Sequence, residues 1–187
     1  MVLLSKFPID RKNIRTFQNF KWKDMPDHLE VLTTNGERFY SDKAWQKFRL
    51  SSKSHWDVPI QVNDKTIHVL ASHPTPPGFD GKEDRNGKRN HDEIRFWQDY
   101  IDKDKGSYIY DDEGNKGSLE DESFMIMGDL NASPNEGDAI NSGIKNLLDH
   151  PQVNDNFTPS SKGGKRLSPD NPNGQYHTAS WKLRADY

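Results

Sequence analysis

Residues 124–134, FMIMGDLNASP, set four consecutive apolar residues in front of a glycine, an aspartate and an asparagine, and close on a small, proline-terminated turn. A run of four is short for a helix and suits a strand buried on both faces. On an extended exit from that strand Asp129 and Asn131 are two residues apart and point to one side. A carboxylate that only accepts hydrogen bonds, beside an amide that donates and accepts, can hold a water or a metal ion together with a phosphate oxygen. The same pair also suits a plain turn, because Asp and Asn bond their own backbone there.

Upstream, residues 47–73 contain three short β-rich stretches, around Phe48 to Ser52, Val58 to Val62 and Thr66 to Ser72, with Asn63-Asp64 as a hairpin turn between the last two. His73 stands at the end of TIHVLAS with Pro74 behind it, so the chain turns where an imidazole emerges that can donate a proton or bind developing negative charge. A histidine at a strand end is also an ordinary surface residue, and His68, within the strand, reads as structural. Residues 74–90 are dense in Pro, Gly, Asp and Asn and predict a long irregular loop. HDEIRFWQDYIDK then takes helical spacing through Ile94, Trp97 and Ile101, with Asn90 as its cap and Glu93 reaching back. Beyond FMIM, Ile140, Ile144, Leu147 and Leu148 mark another helix that stops at Pro151. Strands alternating with helices predict an α/β or α+β sandwich, with residues 1–187 forming one domain.

The chain is 31% apolar and, even with its 13 glycines counted, stays below the roughly 45–50% of globular chains, so loops are long or core is missing. Charged residues make up 29% but the net charge is −3, which mixes the two signs and gives no basic patch for gripping duplex DNA. Zero cysteines exclude disulfides, thiolate zinc sites and a cysteine nucleophile. No apolar run approaches the length of a membrane span. The expected partner is a phosphate-ester substrate and the expected state a monomer.

Donors suited to phosphate occur in SSKSHWDVP (Lys53, His55) and in RNGKRNHD (Arg89, Asn90, His91), the second at a helix start where free N–H groups favour anions. A solvated charged loop is the bland alternative for both. DDEGNKGSLEDE lacks calcium-loop spacing, and GKR at 164–166 lacks the first glycine and the final Ser or Thr of a P-loop.

In combination, HVLASHPTPP, FMIMGDLNASP and the terminal LRADY resemble the endonuclease/exonuclease/phosphatase family, the metal-dependent DNase I-like phosphoesterases. The match is closest to a bacterial branch that carries SSKSHWDVP, a TPP loop with RNG, RNHDEIRFW, YIYDD, GDLNA and LLDHP in this order. The resemblance covers nearly the whole chain. It implies a four-layer sandwich of two mixed sheets flanked by helices, and hydrolysis of a phosphodiester or phosphomonoester with a divalent metal, Mg²⁺ foremost and Mn²⁺ or Ca²⁺ as alternatives. It gives Asp129 the task of orienting or deprotonating the attacking water, with a contact to the metal, and Asn131 that of binding the scissile phosphate or that water, also within reach of the metal. His73 becomes a phosphate ligand or general acid, and Asp186 the aspartate that orients a second histidine.

Three features depart from the family pattern. Its N-terminal Asn and metal-binding Glu strands fall upstream of Met1, its closing Ser-Asp-His segment falls downstream of Tyr187, and the stretch 168–180 is short. The expectation is an internal fragment of a longer enzyme, with an incomplete sandwich and weak or absent activity of its own. Members of this branch are exported, so the resemblance implies a secreted or periplasmic parent. A second function class stays open: a non-catalytic phosphate- or partner-binding domain in which Lys53, His55, Arg89 and His91 matter more than Asp129.

Overall fold

The computed structural model describes residues 2–120 and 122–187 and is organised on a four-stranded mixed sheet. Its strands are β1 (Arg15–Thr16), β2 (His55–Val62), β3 (Lys65–Ser72) and β4 (Ser123–Met127), in that spatial order. β1–β2 and β2–β3 are antiparallel, and β3–β4 is parallel. Asn63, at φ 54°, and Asp64 make the tight turn that joins β2 to β3, with Val62 paired to Lys65. A parallel neighbour requires a crossover, which α2 (Arg85–Ile101) supplies between β3 and β4. The other helices are α1 (Asp42–Trp45), α3 (Asn141–Leu148) and α4 (Lys162–Leu167). A mixed sheet flanked by helices is the α/β architecture predicted above. Among the described residues it is the one sheet with regular strands, and isolated bridges such as Asp129–Asp186 and Ala179–Leu183 lie beyond it.

α2 earns its place by its apolar stripe. Ile94, Trp97 and Ile101 are buried, as are Phe96 and Tyr100 beside them, and they join Phe17, Phe20, Trp22, Leu70, Ile109, Leu130, Ile144 and Leu147 in the main core. Two polar tips tie the helix to the sheet: Trp97 Nε1 donates to Ser72 Oγ at 2.8 Å, and the Tyr100 hydroxyl donates to Asp57 Oδ2 at 2.6 Å. The opposite face carries a smaller cluster of Val58, Ile60 and Val69 with Leu3, Ile9, Ile14 and Trp56 against it. Among the described residues no helix is long and apolar enough to cross a membrane.

Several local expectations are corrected. β4 is not covered on both faces: Phe124 and Ile126 pack on the main core, whereas Met125 and Met127 are each 45% exposed. α2 begins at Arg85, so Asn90 lies inside it and caps nothing. Its first turn is satisfied from a distance, because Asp80 Oδ2 accepts the Asn86 N–H at 2.6 Å. Phe48 to Ser52 forms no strand beyond a single Lys21–Arg49 bridge. The acidic loop near residue 112 serves as an anchor. Asp111 pairs with Arg15 at 2.9 Å, and Asp112 accepts the N–H groups of Gln18 and Asn19.

Candidate active site

Because β3 and β4 run parallel in register up to the Ala71–Met127 pair, both chains leave the sheet at one edge. In open α/β sheets ligands bind at the carboxyl ends of the strands. His73 and Asp129 each stand two residues beyond that last pair, which brings His73 Nε2 to 3.7 Å from Asp129 Oδ2. Burial and the Lys53 ammonium hold the His73 pKa below its ordinary value, against the opposite pull of Asp129 and Asp186. The imidazole is therefore neutral at pH 7, a hydrogen-bond donor rather than a fixed cation.

Asp129 and Asn131 reach the site by a turn rather than by strand alternation. Asn131 takes φ 52° and its N–H donates to Asp129 Oδ1 at 3.0 Å, an Asx turn. The Asn131 amide nitrogen donates to the Pro74 carbonyl at 3.1 Å. Its Oδ1 thus remains to accept a hydrogen bond or to bind a cation. Asp186 arrives from the other side: Leu130 N–H donates to Ala185 O at 2.7 Å, and Gly128 and Tyr187 exchange both backbone bonds, which aligns Arg184–Tyr187 antiparallel to the GDL segment. His73, Asp129, Asn131 and Asp186 are therefore brought together.

The donors assigned to phosphate mostly are not. Lys53 stays close enough to act on His73 electrostatically. His55 is 1% exposed, donates from Nε2 to the Glu93 carbonyl at 2.8 Å, and lies 4.9 Å from the rings of both Phe96 and Trp97. Arg89 spends its guanidinium on the carbonyls of Leu50 and Arg49, at 2.8 and 2.9 Å, and lies over the Phe48 ring. His91 pairs with Asp92 at 2.9 Å and packs against Gly143 of α3. Asn90 is fully buried and donates to the carbonyls of Thr75 and Leu130. These four are framework, and the reason is shared: each side chain meets a fixed backbone carbonyl or carboxylate before it meets solvent.

His55 carries a pH signature. Burial pushes its imidazole down to about 4 from 6.5, so the unfolded chain binds the proton more readily. Its contribution to stability is whole above about pH 6.5 and is lost as pH falls toward 4. Between pH 7.5 and 4.5 wild type is expected to lose about 2 to 3 kcal/mol more than His55→Gln, which keeps a donor for the Glu93 carbonyl but does not titrate. Urea titrations of both proteins at the two pH values check this; equal losses would refute it.

Two features of the site were not read from the sequence. A cavity of about 730 Å³ opens beside Asn131, between Phe79 and Trp181, with Glu136 and Asp138 on its wall. Glu136 is fixed by His177 Nε2 at 2.6 Å and by the Asn171 amide at 3.0 Å. His177, held also by Ser168 Oγ at 3.1 Å, is thereby engaged away from Asp186. The second feature is Glu93, which the helical pattern presents as part of a cap. Its carboxylate accepts the N–H of Ser52 at 2.8 Å and of Thr75 at 2.5 Å. No local motif announces either contact.

Among the described residues no three His, Asp or Glu side chains gather as a metal cage. Asp129 Oδ2 and Asn131 Oδ1 are the oxygens on offer. These are the donors a hard divalent cation would take from this chain, since such an ion keeps several waters and uses one or two carboxylates together with substrate oxygens.

Comparison with known proteins shows the family of the chain. No curated protein matches the sequence. A solved structure with similarity, that of a β-hairpin deletion mutant of beta toxin from Staphylococcus aureus, is 20% identical, with 71% of this chain and 41% of that chain covered and a TM-score of 0.39. The chain thus spans less than half the length of that protein. The family model described as Endonuclease/Exonuclease/phosphatase matches residues 1–187. The chain belongs to the Endonuclease/Exonuclease/phosphatase family.

Proposed function

We propose that the protein is a divalent-metal-dependent phosphoesterase that hydrolyses a phosphodiester or phosphomonoester by in-line attack of water, with residues 1–187 acting as one domain. The observation that carries this reading is the approach of His73 to Asp129, 3.7 Å apart at the common edge of two parallel strands. Asp129 orients the attacking water and takes its proton. Asn131 presents Oδ1 to that water from a side-chain amide held by its Nδ2 bond to the Pro74 carbonyl. His73, kept neutral by burial and Lys53, donates a hydrogen bond to a phosphoryl oxygen on which charge grows. Asp186 adds a second carboxylate across the bridge to Asp129. Mg²⁺, bound through Asp129 and Asn131, would supply charge neutralisation at the phosphate.

The binding-only reading loses its support in the geometry, because His55, Arg89 and His91 are turned to framework partners. A net charge of −3 favours a compact phosphate ester over duplex DNA. The test is hydrolysis of bis(p-nitrophenyl) phosphate and p-nitrophenyl phosphate with Mg²⁺. Slow turnover that EDTA abolishes and Mg²⁺ restores is expected. Turnover indifferent to EDTA, or none from folded protein, would sink the proposal.

A further inference from the structure

Three loops carry the site, and one face of α2 touches all of them. Asn90 and Glu93 are one turn apart on that face and both are completely buried. Asn90 Nδ2 donates to Thr75 O at 2.8 Å and to Leu130 O at 2.9 Å. Carbonyls only accept, so the amide nitrogen must face them; Asn90 Oδ1 is left buried without a partner. Glu93 accepts the N–H of Thr75 and of Ser52. Burial raises its pKa, and Arg89 with the two N–H donors offsets this only in part.

The contacted residues share a property. Thr75 lies two residues after His73, Leu130 directly follows Asp129, and Ser52 directly precedes Lys53. Asn131 adds a third tie, to Pro74. A buried amide with an orphan oxygen and a buried carboxylate are poor choices for filling a core, where an apolar side chain of similar size leaves nothing unpaired. Their value is geometric, since they fix the His73 loop against the Asp129 loop, and misplacement by an ångström is enough to slow a reaction that depends on alignment.

We infer that Asn90 and Glu93 are positioning residues, a two-pronged clamp on α2 that sets the spacing of His73, Asp129 and Lys53. The role in catalysis rests on the phosphoesterase reading; the clamp itself does not. Asn90→Asp keeps the shape but turns a carboxylate toward two carbonyls. If that variant fails to fold, Glu93→Gln, which retains one acceptor oxygen, loosens the same loop through Thr75 and Ser52.

Two measurements do not need activity. Hydrogen exchange at the amides of Thr75, Leu130 and Asn131 is expected to rise at least tenfold in the variant while residues 67–70 and 94–101 keep wild-type protection, and the His73 imidazole resonances at fixed pH should shift or broaden. In turnover of bis(p-nitrophenyl) phosphate with Mg²⁺, kcat should fall tenfold or more with KM within twofold. Uniformly faster exchange would reduce both residues to general stability and overturn the inference. So would local loosening with kcat unchanged, or no loosening at all. Wild-type protein without EDTA-sensitive turnover would count against the phosphoesterase reading alone, and the exchange and resonance data would still decide for or against the clamp.

Discussion

Gly128→Ala is expected to cost about 2 to 6 kcal/mol of folding stability, more than a conservative change at a half-exposed turn ordinarily costs. Gly128 sits at φ 142°, and a Cβ placed there runs into the carbonyl oxygen of Ser72 on β3. Two penalties therefore combine. Backbone in this region costs a residue other than glycine about 1 to 3 kcal/mol, and forced overlap in a packed site adds about 1 to 3. The overlap cannot be relieved by turning a side chain, because the obstacle is backbone of the neighbouring strand. Gly114 provides the control: at φ 89° it also holds a positive angle, yet nothing lies within 4 Å of an added Cβ, so Gly114→Ala should cost the backbone penalty alone, about 1 to 3 kcal/mol. Urea unfolding of the two variants separates the terms, and equal losses would show that the contact with Ser72 relaxes without cost. The glycine of GDLN is thus explained by the close approach of β3 and β4, the same approach that brings His73 beside Asp129.

What the sequence reveals and what it conceals divide along a physical line. The β2–β3 hairpin, α2 and α3 are legible because Asn63-Asp64 and the apolar spacing of Ile94, Trp97, Ile144 and Leu147 are local signals. FMIM is legible as a strand, but its open face is not: all four side chains are apolar, so the alternation that leaves Met125 and Met127 half exposed leaves no mark in the residue types. The start of α2 is hidden because Asp80, outside the helix, accepts the first-turn N–H of Asn86. The gathering of His73 and Asp129 follows from two strand ends and their parallel pairing. The fates of His55, Arg89, Asn90 and His91 do not follow from anything local. Each is decided by a carbonyl or carboxylate distant in sequence, such as the Leu50 carbonyl that takes Arg89 or the Leu130 carbonyl that takes Asn90. Charge and polarity report that a side chain needs a partner; only the tertiary structure says which.

The pairing of His73 with Asp129 predicts strong non-additivity. Asp129→Asn preserves an acceptor for the Asn131 N–H, and with it the turn, but removes the charge that orients water. Turnover is expected to fall about 10²- to 10³-fold, as when a preorganised electrostatic group is lost. His73→Ala removes the hydrogen-bond donor aimed at the phosphoryl oxygen and should cost about 10²-fold or more. Two groups that act on one phosphate and its attacking water work as a unit, so the double variant should be little slower than the worse single. Fully multiplicative losses, with both variants folded, would mean that the two side chains serve separate steps. Their 3.7 Å approach would then be a consequence of strand register alone, and the observation on which the phosphoesterase reading stands would lose its mechanistic meaning.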